Sequence, residues 1–507
     1  MTGTLDPTFA ALPHRTLGEV ALGRAADLGA THADFRFERL RHQYLAARDG
    51  VLQTASLTED LGFSVRVVHG GAWGFAAGVA LTEDEARRLA EQAVALAQVA
   101  ATMTRSPVEL APEPVHADVE WVSPYDVDPF ELPDAEKADL LVGWTRRLRE
   151  HEAVDHATAA VQLVKEVKYY ADLAGTRTTQ QRIRVDPELT AMGTDEATGT
   201  FDSMRSIAPP AGRGWEHLTG ATHDWERELT EVPVLLAEKL RAPTVEAGTY
   251  DLVVHPSNLW LTIHESIGHA TELDRALGYE ANYAGTSFAT PDLVGTLQYG
   301  SDVMHVTGDR TEPHGLASTG WDDEGVETTR WDIVRDGVLV GYQLDRPMAA
   351  AMPHLTSEPE HGRSNGCAYA DSPGHVPLQR MANVSLQPAP DGPSTEELIS
   401  RVDRGLYVVG DRSWSIDMQR FNFQFTGQRF FRIEDGQLAG QVRDVAYQAT
   451  TTDFWGSMEA VGGPQTWELG GAFNCGKAQP GQVAAVSHGC PTALFRGVRI
   501  LDTTEEG

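Results

Sequence analysis

The sequence predicts an α+β fold: a mixed α/β N-terminal region, then an antiparallel β-rich C-terminal domain carrying one key helix. Three observations predict it. In the first half, stretches of helical periodicity alternate with period-two runs. In the second half, runs of strands have few helices between them, which favours antiparallel pairing over a doubly wound sheet. A chain of 507 residues can bury large cores and should form two or more domains. Pro243 is the boundary the sequence offers, giving domains 1–242 and 243–507.

The N-terminal elements follow in order. Leu17 to Leu28 has apolar residues at helical spacing. Phe35 and Phe37 alternate with Asp34, Arg36 and Glu38, the pattern of a half-buried strand. Asp49-Gly50 is a hairpin turn. Phe63, Val65 and Val67 alternate again before a turn at Gly70-Gly71. Thr82-Glu83-Asp84-Glu85 matches a capping box opening an alanine-rich helix to about Ala100. Pro107 to Pro133 is proline-rich and acidic, and reads as a connector. Leu140, Leu141, Trp144 and Leu148 mark an amphipathic helix. Ala157–Val164, Lys168–Asp172, Thr178–Val185 and Leu189–Gly193 read as four strands. Helix-then-strands thus occurs twice, at about 1–105 and 134–200, the trace an internal duplication would leave. Gly199 to Gly220 is rich in turn formers and reads as a loop, and a helix near Glu231–Arg241 ends at Pro243.

In the second half, Tyr250 to Val254 reads as a strand that Pro256 and Ser257 end, with Ser257 as helix N-cap. Leu259, Ile263 and Ile267 recur at four-residue spacing, as a packed helix face requires. This helix is predicted to run to about Ala276 and stop at Gly278. Beyond it, Asp336-Gly337 and Asp435-Gly436 are hairpin turns. Phe421, Phe423 and Phe425 alternate in one strand, and Phe431 and Ile433 in another.

The chemistry lies on that helix, in His264-Glu265-Ser266-Ile267-Gly268-His269. Imidazoles and thiolates are good zinc ligands, and a carboxylate beside such a metal can act as a general base. The usual zinc-peptidase spacing sets the histidines at i and i+4, whereas here the second is at i+5. At about 100° per residue, an ideal helix would hold these two roughly 140° apart. A π-bulge at Ile267–His269, or a change of helix geometry where Gly268 relaxes the backbone, would bring them onto one face. Glu272 is within reach, as an orienting partner of a histidine or as a ligand itself. Cys475 lies downstream in a glycine-flanked loop, Phe473-Asn474-Cys475-Gly476-Lys477. Its rivals are Cys490, in His488-Gly489-Cys490-Pro491, and Cys367; free cysteine is most often a small buried hydrophobe.

These motifs stand in a telling order. His264–His269 is followed by Gly320-Trp321-Asp322-Asp323-Glu324-Gly325, by the stretch Ile333–Arg346 and by Cys475-Gly476-Lys477. In that order the chain resembles the TldD/PmbA family of metallopeptidases and their metal-free paralogues. The resemblance is strongest from about Ala247 to Gly497 and visible near Gly71-Ala72-Trp73-Gly74-Phe75-Ala76. It implies that His264, His269 and Cys475 are ligands of one zinc ion and that Glu265 is the catalytic carboxylate. It also implies a peptide substrate, and assembly as a heterodimer with a metal-free PmbA/TldE-type paralogue or as a homodimer. Glu272-Leu273-Asp274-Arg275 departs from the acidic-Gly-Asp run usual in the family.

The implied mechanism is short. Zinc on two imidazoles and a thiolate keeps a fourth position open and lowers the pKa of water there to about 7. Glu265 would take the proton and pass it to the leaving amine. His305, His314, Tyr283 and Tyr299 are candidates for the oxyanion donor, and Asp322, Asp323 and Glu324 either line the cleft or form a charged turn. The function expected is therefore a zinc-dependent peptidase acting on extended or unfolded peptides. The alternatives are a non-catalytic partner subunit and a metal-dependent amidase on a non-peptide substrate.

Composition narrows the field. A formal net charge of −32 opposes general binding to nucleic acid phosphates. No segment has the apolar length that spans a membrane. The start of the chain carries neither a basic region nor an apolar core, so no signal peptide is expected. Three cysteines argue against a disulfide framework, and the expected location is cytoplasmic.

Overall fold

The computed structural model describes residues 3–357 and 360–504. The first half builds one seven-stranded sheet. Its order is Ala72–Gly78, Val51–His69, His32–Arg48, His156–Asp172, Arg177–Asp195, with two short strands on the last edge. Of these, Val119–Val122 runs parallel to Arg177–Asp195 and Thr200–Arg205 antiparallel. Asp49 and Gly50 have φ of 51° and 82°, as a tight hairpin between long twisted strands requires. The two helix-and-strand units share this single sheet, because His32–Arg48 pairs with His156–Asp172.

The four strands expected between 157 and 193 are two long ones. Lys165, Glu166 and Lys168 resemble a break in an apolar pattern, yet all three are buried in ion pairs inside one strand. Pro187 lies between the stretches where the two short edge strands attach, where a missing N–H is tolerated. The expected loop at 199–220 likewise contains Thr200–Arg205, a strand.

Side chains alternate across this sheet. One face buries Phe35, Phe37, Phe63, Val65 and Tyr169 with helices His14–Asp27 and Glu83–Ala101. Further along, Leu45, Val161, Leu163 and Val185 pack with helices Asp134–Leu148 and Trp225–Arg241. The opposite face is polar and also buried: Arg36, Glu38, Glu166, Lys168, Arg182 and Arg184. This corrects the half-buried reading of the strand at Phe35. The polar face meets the second half of the chain instead of water. Lys168 Nζ lies 2.8 Å from Asp323 Oδ2, Arg66 Nη1 lies 3.1 Å from Glu324 Oε1, and the Tyr369 hydroxyl donates to Glu166 Oε2 at 2.9 Å.

The second half centres on a closed barrel. Strands Arg404–Ile416, Gly248–Val254, Ala493–Asp502, Val445–Thr450 and Asn422–Glu434 pair in that order, and the last pairs with the first. Phe423, Phe425, Phe431 and Ile433 all lie in Asn422–Glu434, not in two strands. Gly427 does not turn the chain there; it stays in the ladder opposite Asp411. The turns at Asp336-Gly337 and Asp435-Gly436 have the positive φ their sequence predicts. Outside the barrel, the hairpin Glu468–Lys477/Gln482–Cys490 and the strand Asn383–Leu386 complete the setting of the site. Among the described residues no helix is long and apolar enough to cross a membrane.

Candidate metal centre

Barrel strand Gly248–Val254 leads directly into helix Pro256–Ile263. His255, not Ser257, caps it: His255 Nδ1 accepts from the Ser257 N–H at 3.2 Å. Pro256 has no N–H, so that of Ser257 is the first needing a partner. Leu259, Ile263 and Ile267 are buried as their spacing predicts. The helix then widens to a π-helix over His264–Gly268, and the His269 N–H donates to the His264 carbonyl, five residues back. The imidazoles of His264 and His269 are thereby brought to 4.7 Å between ring centroids.

Remote side chains brace the wide turn. Tyr299 Oη donates to the Ser266 carbonyl at 2.5 Å, Trp455 Nε1 to Ser266 Oγ at 2.9 Å, and Gln343 Nε2 to the Gly268 carbonyl at 2.7 Å. Gln343 also ends the helix early. Its backbone N–H takes the Thr271 carbonyl and its carbonyl takes the Leu273 N–H, so Glu272 is extended, at ψ 115°. The predicted run to Ala276 is therefore broken, with only a short helix Leu273–Ala276 before Gly278 at φ 86°. Leu273, the residue at which Glu272-Leu273-Asp274-Arg275 departs from the expected run, is helical and buried, a conformation leucine adopts readily.

Cys475 arrives on a strand, Glu468–Lys477, rather than in the expected loop. A register shift between Ala472 and Cys475 interrupts its pairing with Gln482–Cys490. The Sγ atom stands 3.6 Å from His269 Nε2, and one donor atom each from His264, His269 and Cys475 fits within 4.8 Å. Cys367 and Cys490 are fully buried elsewhere; burial pushes the Cys367 thiol up to about 12 and that of Cys490 well above its usual value. Burial acts the same way on Cys475, but His269 and then Arg380 outweigh it, and its thiol lies below the ordinary range.

Burial lowers the pKa of both imidazoles, the Cys475 thiol is acidified by the proton it shares with His269, and in the neutral rings the free nitrogen is fixed by what the other nitrogen touches. His488 Nδ1 bonds the Val384 carbonyl at 2.8 Å, which can only accept, so His488 Nε2 is an acceptor. His264 Nδ1 lies 2.8 Å from that Nε2 and must carry the proton, leaving its own Nε2 a lone pair. His269 Nδ1 donates to Glu272 Oε2 at 2.9 Å, with the same consequence. Burial alone would raise the Glu272 pKa, but Lys477, His269 and Arg275 hold it well below the carboxylate range. Glu272 thus sits behind His269, away from the cluster. Two neutral imidazoles with outward lone pairs and an acidified thiol are a donor set suited to zinc.

Glu265 lies beside this cluster. Its Oε2 accepts from Arg420 Nη1 at 2.7 Å, while Oε1 takes no hydrogen bond from any described residue. A cleft of about 360 Å³ borders the centre through Trp260, with Phe473, Asn474, Asp186 and Asp411 among its walls. Trp260 stacks on His488 at 6.3 Å. Of the other candidates, His305 lies 3.6 Å from Asp336, His314 Nδ1 bonds the Gly212 carbonyl, and Tyr299 braces the π turn. Tyr283 is exposed. Asp322, Asp323 and Glu324 form a buried charged turn joining the two halves. Sequence reasoning missed His488 and Arg420. His488 stood in a stretch considered only for its cysteine, and nothing local marks Arg420.

A helix-borne histidine pair around a glutamate, closed by a remote cysteine, is a donor set that could hold a metal ion. Comparison with known proteins makes that specific. A sequence model of the PmbA/TldA metallopeptidase C-terminal domain matches residues 247–502, and one of PmbA/TldA metallopeptidase domain 1 matches 33–97. The chain belongs to the PmbA/TldD metallopeptidase family. A metalloprotease of Methanothermobacter thermautotrophicus is 28% identical over 93% of this chain and 96% of its own. A zinc metalloprotease TldD homolog of Saccharolobus solfataricus is 23% identical over 94% and 98%. Among solved structures, a Thermotoga maritima protein superposes with a TM-score of 0.73 at 17% identity, covering 96% of this chain and 100% of that one. TldE from Thermococcus kodakarensis gives 0.67 at 18% identity, covering 96% and 99%.

Proposed function

We propose that this protein is a zinc-dependent peptidase acting on extended or unfolded peptides, with His264, His269 and Cys475 as ligands and Glu265 as general base. The observation that carries this reading is the convergence of those three donor atoms within 4.8 Å, beside a carboxylate with one free oxygen. Bound zinc would polarise the scissile carbonyl and lower the pKa of water to about 7. Glu265 Oε1 takes the proton from water and delivers it to the leaving amine nitrogen, while Arg420 holds Oε2 and so fixes the direction of Oε1. Glu272 and His488 keep the two imidazoles oriented. We assign the peptide to the cleft beside Trp260, whose walls Phe473 and Asn474 directly precede Cys475 in the chain.

The name of the Saccharolobus solfataricus relative supports zinc. The family resemblance implies a two-chain assembly, either with a metal-free paralogue or with a second copy, and we carry that expectation into the reading. Three buried, unpaired cysteines fit a reducing compartment, and we place the protein in the cytoplasm.

Elemental mass spectrometry with a peptide-hydrolysis assay tests the reading. The native protein should hold about one zinc per chain, as one set of three protein ligands with an open fourth position implies. The His264→Ala/His269→Ala variant should hold none. Glu265→Gln should keep zinc and lose hydrolysis by about 10²–10⁴-fold. Full activity in Glu265→Gln removes that residue from the mechanism. No metal in the native protein, even after zinc reconstitution, favours the partner-subunit reading.

A further inference from the structure

A second cavity lies between the polar face of the N-terminal sheet and the segment 310–328. Its volume is about 390 Å³, and Trp121, Arg182, Arg184, Arg310, Leu316 and Trp321 are among its walls. Arg310 is only 2% exposed, yet its guanidinium makes no hydrogen bond or ion pair with any described residue. Its Nε and Nη1 are buried without an acceptor, and so are Arg184 Nε and Trp321 Nε1. All four orphans are donors. Buried polar groups are normally satisfied, and a buried unpaired cation is strongly unfavourable.

The neighbouring carboxylates are already engaged. Arg182 and Arg184 share Glu166, and Arg36 and Lys168 take Asp323 and Glu38. Glu312 and Glu327 line the cavity, but Glu327 is exposed, Glu312 is half-buried and neither pairs with Arg310. Surplus buried positive charge in a chain of net charge −32 does not follow from composition.

We propose that this cavity binds a carboxylate, received by Arg310 with Arg184 and Trp321 as further donors. One unpaired guanidinium matches one negative charge. The walls of Trp121, Pro124, Ile183 and Leu316 suit an apolar body behind the carboxylate. A peptide C-terminus and a small organic acid share this chemistry. The site also touches the hairpin that carries Cys475. The Leu316 N–H donates to Ser487 Oγ at 3.0 Å, and Leu316 Cδ1 is 3.2 Å from where a Cβ on Gly471 would stand. The assignment does not depend on catalysis at the metal centre.

The test is calorimetric titration of the full chain with three probes: N-acetyl-Leu-Leu acid, its C-terminal amide, and 4-phenylbutanoate. The peptide acid should bind about ten-fold tighter than the amide or better, as a charge-assisted hydrogen bond requires. Binding of both acids marks a general carboxylate site, and binding of the peptide acid alone marks a C-terminus site. Arg310→Leu should abolish binding and leave zinc content unchanged, with its ligand-free Tm equal to or above that of the native protein. Equal binding of acid and amide overturns the proposal, as does native affinity in Arg310→Leu. Should Arg310→Leu fail to fold, the native Tm decides: it should rise with the acid probes and not with the amide. No rise with either acid overturns the assignment.

Discussion

The lone pair of His264 Nε2 is available because a proton sits on Nδ1, and His488 holds that proton at 2.8 Å. Outer partners of this kind tune metal affinity by about 10–100-fold. His488→Ala should weaken zinc binding by that order in a chelator competition, with the fold intact; native affinity in that variant would leave His488 without a role at the centre. The choice of thiol is tested the same way. Cys475→Ala should lower zinc content, whereas Cys490→Ala should not, since one thiol is acidified by His269 and Arg380 and the other is pushed up by burial. The reverse result would show that the wrong cysteine has been chosen.

The π turn is the element on which the centre depends. The i+5 spacing demands an irregular helix, and that much is readable in the six residues themselves. The part played by Gly268 is different from the one expected. Its φ of −52° and ψ of −59° are ordinary helical values, so it does not relax the backbone. It provides room: a Cβ there would stand 2.5 Å from Met381 Sδ, 2.9 Å from Met381 Cε and 3.5 Å from His488 Cε1. Gly268→Ala should cost about 1–3 kcal/mol in urea unfolding, the usual penalty of overpacking a core. It should also loosen zinc, because the added methyl meets His488 itself as well as Met381. An alanine variant with native stability and native zinc affinity would show that the turn has room to spare.

Across the whole molecule, the two halves meet through ion pairs rather than through an apolar seam, and buried histidines add a pH limit. His217 is held neutral by burial, its pKa pushed down to about 4 from the usual 6.5, with Nε2 on the Pro209 carbonyl and Nδ1 on Thr222 Oγ1. A group whose folded pKa is depressed stabilises the fold above its unfolded pKa, and that contribution disappears as pH falls through the folded value. His217 should therefore cost stability progressively from pH 6.5 to 4, up to about 3 kcal/mol. Urea unfolding at several pH values should show a shallower acid loss in His217→Gln than in the native protein. Parallel curves would assign the acid sensitivity to other groups.

Period-two and period-3.6 patterns, turn dipeptides and the His264–His269 spacing lie within single elements. They let the sequence by itself determine the α+β class, most of the elements and the residues to watch. Tertiary structure decided the rest, because the physical causes are remote in the chain. Polar residues such as Arg36 and Glu166 read as solvent-facing or as breaks until the opposite half supplies their partners. Gln343, 71 residues beyond Glu272 in the numbering, ends the helix by taking its backbone bonds. Cys475 meets His269 across 206 residues, and His488 meets His264 across 224. No local pattern encodes such pairings. They exist only once the barrel and its hairpin have closed around the turn.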